Sequence, residues 1–145
     1  MKTLQRATPC VGICSTTYGD LVCRGCKRFS HEIVQWNSYS RAQQDVIWQR
    51  LFELRRQAVA SAVRVVDAAR FANMRAGKAL PADVSWELAA YELLRGIASK
   101  DQPLSDFGLE AAHDEPVLTL LRGIDADIYN RSRAWYERSF RVAAD

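Results

Sequence analysis

Four cysteines, Cys10, Cys14, Cys23 and Cys26, fall within seventeen positions, and the remaining chain of 145 residues holds none. Their spacing is C-x₃-C, eight residues, then C-x₂-C. Thiolates are soft ligands, and two close pairs joined by a short loop can fold over one another to make a four-sulfur metal site. Two plainer uses of the cysteines compete with this one. Disulfides need an oxidising compartment, but Met1 to Thr8 contain no apolar signal-peptide core, so the expected location is a reducing cytoplasm. Inert core thiols need apolar neighbours, whereas these cysteines stand among Pro, Gly, Thr and Asp, which is loop composition.

The residues between and beside the cysteines suit a thiolate centre. Gly12 and Gly25 lie inside the two pairs, where a bend can aim main-chain N–H groups at sulfur. Arg24, Lys27 and Arg28 bring positive charge next to a centre that four thiolates make negative. The spacing matches neither the ferredoxin runs nor an ordinary zinc ribbon, so it leaves an iron–sulfur cluster and Zn²⁺ equally open. His31 is a fifth candidate ligand; with four thiols available it reads as an ordinary first-turn helix residue.

The segments P-C-V-G-I-C, C-R-G-C-K-R, H-E-I-V-Q-W and V-I-W-Q-R-L resemble the small bacterial family of unknown function labelled "predicted Fe-S protein" (YdhL-type). The resemblance runs over roughly residues 8 to 57. It takes in all four cysteines, Gly12, Gly25, Arg28, Glu32-Ile33, Trp36 and Trp48. What it implies is an iron–sulfur centre on the cysteines, without an assigned biochemical role. Phe29-Ser30 departs from the threonine and acidic residue common in that family, which touches a helix start rather than the site. Residues 58 to 145 receive nothing from the resemblance.

The positioning elements read as helices. Ser30 is placed to cap a short helix from His31 to about Trp36, with Glu32 in its first turn. Ser40 and Gln43 form a capping box, and no Gly or Pro follows until Gly77, which predicts one helix of about 36 residues. Ile47, Trp48, Leu51, Leu54, Ala58, Val59, Ala62, Val65, Val66, Ala69 and Ala72 share its apolar arc. Arg55 falls inside that arc, which predicts an ion pair with the acidic second half of the chain. A second amphipathic helix is expected after Leu80-Pro81, ending near Ser99, with a short helix or turn over Leu104 to Ala112. A last helix opens at Asp114-Glu115-Pro116, with a bend expected at Gly123. The expected fold is therefore all-α: a four-cysteine loop module (residues 1–57, including the start of the long helix) on a bundle of amphipathic helices (residues 58–145).

Hydrophobic residues make up 48%, the mean hydropathy is -0.23, and no apolar run reaches the length of a membrane span, so no membrane partner is expected. The net charge is +3, but residues 1–80 carry +8 and residues 81–145 carry −5. A basic half can meet an acidic protein or RNA, with Arg50, Arg55, Arg56 and Arg64 as candidate partner contacts; docking of the two halves of the chain on each other is the preferred reading. A sequence pI of about 8.8 is below the footprint of a nucleic-acid binder, and an unidentified protein is the expected partner. In the last helix, Tyr129, Trp135, Tyr136 and Phe140 interleave with Arg131, Arg133, Arg138 and Arg141, a pattern of base stacking or, more simply, of a core stripe with a basic edge. No nucleotide loop, nucleophile elbow or metalloprotease motif occurs, and Asp125 and Asp127 point apart on a helix. Any catalysis would have to come from the metal, and four thiolates leave no open position for hydrolytic zinc. These features describe a small metal protein acting in electron transfer or as an iron–sulfur accessory, or a structural-zinc adaptor.

Overall fold

The computed structural model describes residues 4–100 and 102–141. It is mostly helical with one two-stranded sheet, and the chain divides into two compact units. One unit is Arg55–Asp125; the other joins Leu4–Leu54 to the segment beginning at Ala126. Among the described residues no helix is long and apolar enough to cross a membrane.

In the cysteine-bearing unit, a 3₁₀ turn at Ser15–Tyr18 is closed by Gly19, whose φ of 99° is left-handed. Helix α1 (Ser30–Gln35) follows the cysteines. Ser30 is its first residue rather than its cap. The backbone N–H of Phe29 instead donates to Glu32 Oε1 at 2.9 Å, so the acid three residues on satisfies the helix start. Helix α2 (Arg41–Ala62) begins at the expected capping box, with Ser40 N–H on Gln43 Oε1 at 2.8 Å and Gln43 N–H on Ser40 Oγ at 3.2 Å.

The 36-residue helix does not form. α2 ends at Ala62 and is followed by β1 (Val63–Val65) and α3 (Ala68–Gly77). The run Val63-Arg64-Val65-Val66 is rich in β-branched residues, which are stiff in a helix and suited to a pleated strand. β1 pairs antiparallel with β2 (Leu109–Ala111), in the register Val63↔Ala111, Arg64↔Glu110 and Val65↔Leu109. Ala112 N–H satisfies the Ala62 carbonyl at 2.8 Å where the helix stops. Asp67 then caps α3, its side chain accepting from Arg70 N–H at 3.0 Å. β2 also replaces the end of the helix or turn expected at Leu104 to Ala112, of which only a 3₁₀ turn at Leu104–Phe107 remains.

Gly108 makes this crossing possible. Its φ is 71°, and a Cβ there would run into Asp67 O and come within 3.0 Å of Phe71 N. Its carbonyl accepts from both Val66 N–H and Asp67 N–H. α4 (Trp86–Ile97) follows the 78–85 loop, so Pro81 precedes the helix rather than opening its first turn. It buries Leu88, Ala89, Ala90, Leu93, Leu94 and Ile97, as its periodicity implies. α5 (Val117–Tyr136) begins just after Pro116 and continues as a π turn at Glu137–Arg141.

Arg55 behaves as its place in the apolar arc requires. Its guanidinium lies 3.7 Å from Glu92 and 4.3 Å from the Tyr91 ring centroid, and Tyr91 OH donates to Asp125 at 2.7 Å. Burial, more than any neighbour, pushes the Tyr91 phenol up, with the Asp125 carboxylate adding to it and Arg55 opposing.

Candidate metal centre

The second cysteine pair sits at the tip of a hairpin. Val22 bridges to Phe29, Cys23 N–H donates to Arg28 O at 2.9 Å, and Lys27 N–H donates to Cys23 O at 2.9 Å. Closing so tight a turn puts Lys27 at φ 68°, an unusual conformation for a residue with a Cβ. It is held there from outside the hairpin: the fully buried Ser132 of α5 donates its hydroxyl to Lys27 O at 2.7 Å. Tyr129, with Trp135 and Tyr136, packs against Val22 and Phe29. The C-terminal end of α5 thus forms the wall behind the hairpin, a role nothing in the cysteine spacing announces.

The loop carrying the first pair lies directly against this tip. A Cβ on Gly25 would stand 2.7 Å from Ile13 O and 2.8 Å from Val11 Cγ2, so only glycine lets the loops approach. Cys23 Sγ reaches Ile13 O at 3.5 Å, and Arg24 N–H donates to Ser15 Oγ at 2.8 Å. Burial raises the Cys23 thiol, but the N–H groups of Cys26, Ser15 and Gly25, with the Cys26 side chain, bring it down to about 7. One of those donors, Ser15 N–H, is one peptide bond from Cys14. The two loops therefore supply main-chain donors to one sulfur.

The four thiols are placed unequally. Cys23 and Cys26 are buried, Cys14 is half-buried and Cys10 is exposed; none forms a disulfide. Cys23 and Cys26 interact through their side chains. Cys14 Sγ instead faces Thr16 Oγ1 at 2.8 Å, and Cys10 Sγ accepts from Gly12 N–H at 3.4 Å. Among the described residues no group of three or more His, Cys, Asp or Glu side chains stands gathered to hold a metal. The backbone brings the two loops together, while the Cys10 and Cys14 thiols are turned to local partners.

The three basic neighbours also separate. Arg24 is turned outward, 3.3 Å from Asp20 and 4.6 Å above the Tyr129 ring. Lys27 Nζ donates to Gly25 O at 2.8 Å. Arg28 faces the sulfurs: it is buried, its Nε lies 3.3 Å from Cys26 Sγ, and its guanidinium sits 4.9 Å from the Trp36 ring centroid. Trp36 is itself fixed by its Nε1–H on Ala7 O at 2.9 Å. Burial pushes the Cys26 thiol up; Arg28 works against this through its hydrogen bond and its charge, and Cys23 adds to the rise. His31 packs on the rings of Phe29 and Phe140.

The candidate partner contacts are engaged within the chain. Arg50 forms two 2.6 Å hydrogen bonds with Glu32 and lies 4.0 Å from the Phe29 ring centroid, its side chain only 11% exposed. Arg55 is paired with Glu92 and Arg56 with Glu87 at 3.6 Å. Arg64, on β1, is the most exposed of the four and meets Glu110 across the sheet at 2.8 Å. The Arg50–Glu32 pair was missed from the sequence, although Glu32 three residues after Phe29 and an arginine in the next helix were its only available signal.

The site is thus a pair of apposed cysteine loops in a small, mostly helical chain. Residues 8–55 match a family described as a protein of unknown function (DUF1289), the same stretch over which the resemblance was read. The match covers about a third of the chain and names no metal. No curated protein and no solved structure matches the chain.

Proposed function

We propose that the two cysteine loops hold one metal centre, with Cys10, Cys14, Cys23 and Cys26 as thiolate ligands, and that the protein is a small iron–sulfur protein of electron-transfer or cluster-accessory type. The observation that carries this reading is Arg28. Arg28 is a largely buried residue, and among the described residues the side-chain acceptor facing its guanidinium is the Cys26 sulfur. A neutral thiol is a poor match for that charge; a metal-held thiolate is a good one. The donor set fits as well: Cys23 sits among main-chain donors, and Gly25 removes the one side chain that would hold the loops apart. Binding by all four requires Cys10 and Cys14 to turn from Gly12 and Thr16 toward the buried pair. When bound, an iron–sulfur centre would supply one-electron chemistry. The chain's part is to keep Cys23 and Cys26 dry on one side and leave Cys10 at the surface on the other.

A structural-zinc adaptor is the second reading, and the exposed apolar side chains support it. Ile13 is 68% and Tyr18 90% exposed, with Val11 and Leu21 also open, all within or between the cysteine pairs. Side chains of this kind mark docking surfaces. Metal and acid-labile sulfide analysis with an anaerobic absorption spectrum separates the two. Iron, sulfide and a visible chromophore support the first reading; one zinc per chain and no colour support the second. Four free thiols and no metal would reject both.

A further inference from the structure

Beside the cysteine hairpin is a cavity of about 210 Å³, lined in part by Asp20, Leu21, Arg24, Tyr129, Arg133 and Glu137. Two guanidiniums from distant parts of the sequence converge on it. Arg24, from the C-x₂-C turn, stands 4.6 Å from the Tyr129 ring centroid, and Arg133, from α5, stands 5.8 Å from the same centroid. Tyr129 is buried, so its ring is a fixed platform. Two like charges drawn to one ring repel each other, and an anion between them would relieve that repulsion. Asp20 reaches Nε of Arg24 at 3.3 Å, while among the described residues Arg133 makes no ion pair.

From this the geometry points to an oxyanion seat in the cavity that Arg24 and Arg133 both line: a site for a phosphate or carboxylate group, held by the N–H edges of two guanidiniums beside Tyr129. Guanidinium forks are built for such groups, pairing two N–H donors with two oxygens. The volume lies below the roughly 300 Å³ at which drug-sized pockets begin, so the cavity suits one anionic group rather than a whole large ligand. Glu137 on the wall opposes an anion and sets the site against indiscriminate anion uptake. The seat is independent of which metal the cysteines take.

The test is titration of the full-length, as-purified protein with inorganic phosphate at low ionic strength, following the arginine Nε–H signals by NMR. The expected result is saturable shifts confined to Arg24, Arg133 and residues around Tyr129. Arg133→Gln should weaken binding about tenfold or more, since a hydrogen bond to a charged group is lost. Glu137→Gln should tighten it. A parallel acetate titration identifies the group: saturation by both anions marks a carboxylate-accepting seat, and saturation by phosphate alone marks a phosphate ester. Shifts that never saturate, that spread over all exposed arginines, or that persist unchanged in Arg133→Gln would overturn the assignment. Arg133 is exposed, so its replacement leaves folding intact; a matching thermal melt verifies this.

Discussion

Replacing Arg50 by glutamine should destabilise the cysteine-bearing unit strongly, because of where the partner lies. Glu32 and Arg50 have side chains only 6% and 11% exposed and share two 2.6 Å hydrogen bonds. A surface pair is worth about 0–1 kcal/mol, but removing one member of a buried pair strands the other charge, at about 3–5 kcal/mol. Glu32 would keep the Phe29 N–H and lose its charged partner. Phe29 would also lose the guanidinium 4.0 Å from its ring centroid, a contact of about 0.5–2 kcal/mol that is already contained in the measured total. Urea unfolding monitored by tryptophan fluorescence is a suitable assay, since Trp36 and Trp48 are buried in the same unit. The expected loss is about 3–5 kcal/mol for Arg50→Gln, with less further loss on adding Glu32→Gln than Glu32→Gln causes alone. An Arg50→Gln protein with wild-type stability would refute the structural role and return Arg50 to the list of partner contacts.

Gly25→Ala should force the loops apart at Ile13 O and Val11 Cγ2; under the proposed four-cysteine ligation this lowers metal affinity about 10–100-fold in a chelator competition while α2 to α5 keep their helical signal. Gly108→Ala should cost at least about 1–2 kcal/mol for the left-handed φ alone, before the contact with Asp67 O is relieved; an unchanged melting temperature would contradict the close approach. Main-chain and Cys26 hydrogen bonds bring the Cys23 thiol down to about 7 against the burial that raises it, below an ordinary unfolded thiol near 8.5. Its stabilising contribution is therefore full above about pH 8.5 and is lost as pH falls through 7. The Cys26 shift has the opposite sign, so the quantity to measure is the difference in unfolding free energy between wild type and Cys23→Ser, which should widen from pH 6 to 9.

What the sequence made legible depended on how local the cause was. The Ser40–Gln43 box and the buried stripe of α4 are decided within a few residues, and each is where periodicity and capping put it, while α5 starts just after Pro116 rather than with it in the first turn. Arg55 was readable because a charge in an apolar arc must find a counter-charge, and Glu92 provides it. The break at Val63 was not readable. Val65 and Val66 fit the helical arc as well as a strand, and the deciding partner, Leu109–Ala111, lies more than forty residues away. The cysteine loops show the same division. Their glycines and spacing announce two apposed turns, but the wall behind them comes from Tyr129 and Ser132, and the rotation of each thiol follows from packing that no spacing encodes.

The most direct measurement is X-ray absorption at the metal edge of protein loaded with Zn²⁺ or reconstituted with iron. Ligation by Cys10, Cys14, Cys23 and Cys26 predicts a first shell made only of sulfur, at about 2.3 Å for zinc, that loses sulfur in Cys23→Ser. A shell with nitrogen or oxygen ligands in the wild type, or one unchanged by Cys23→Ser, would contradict a centre built from the two cysteine loops.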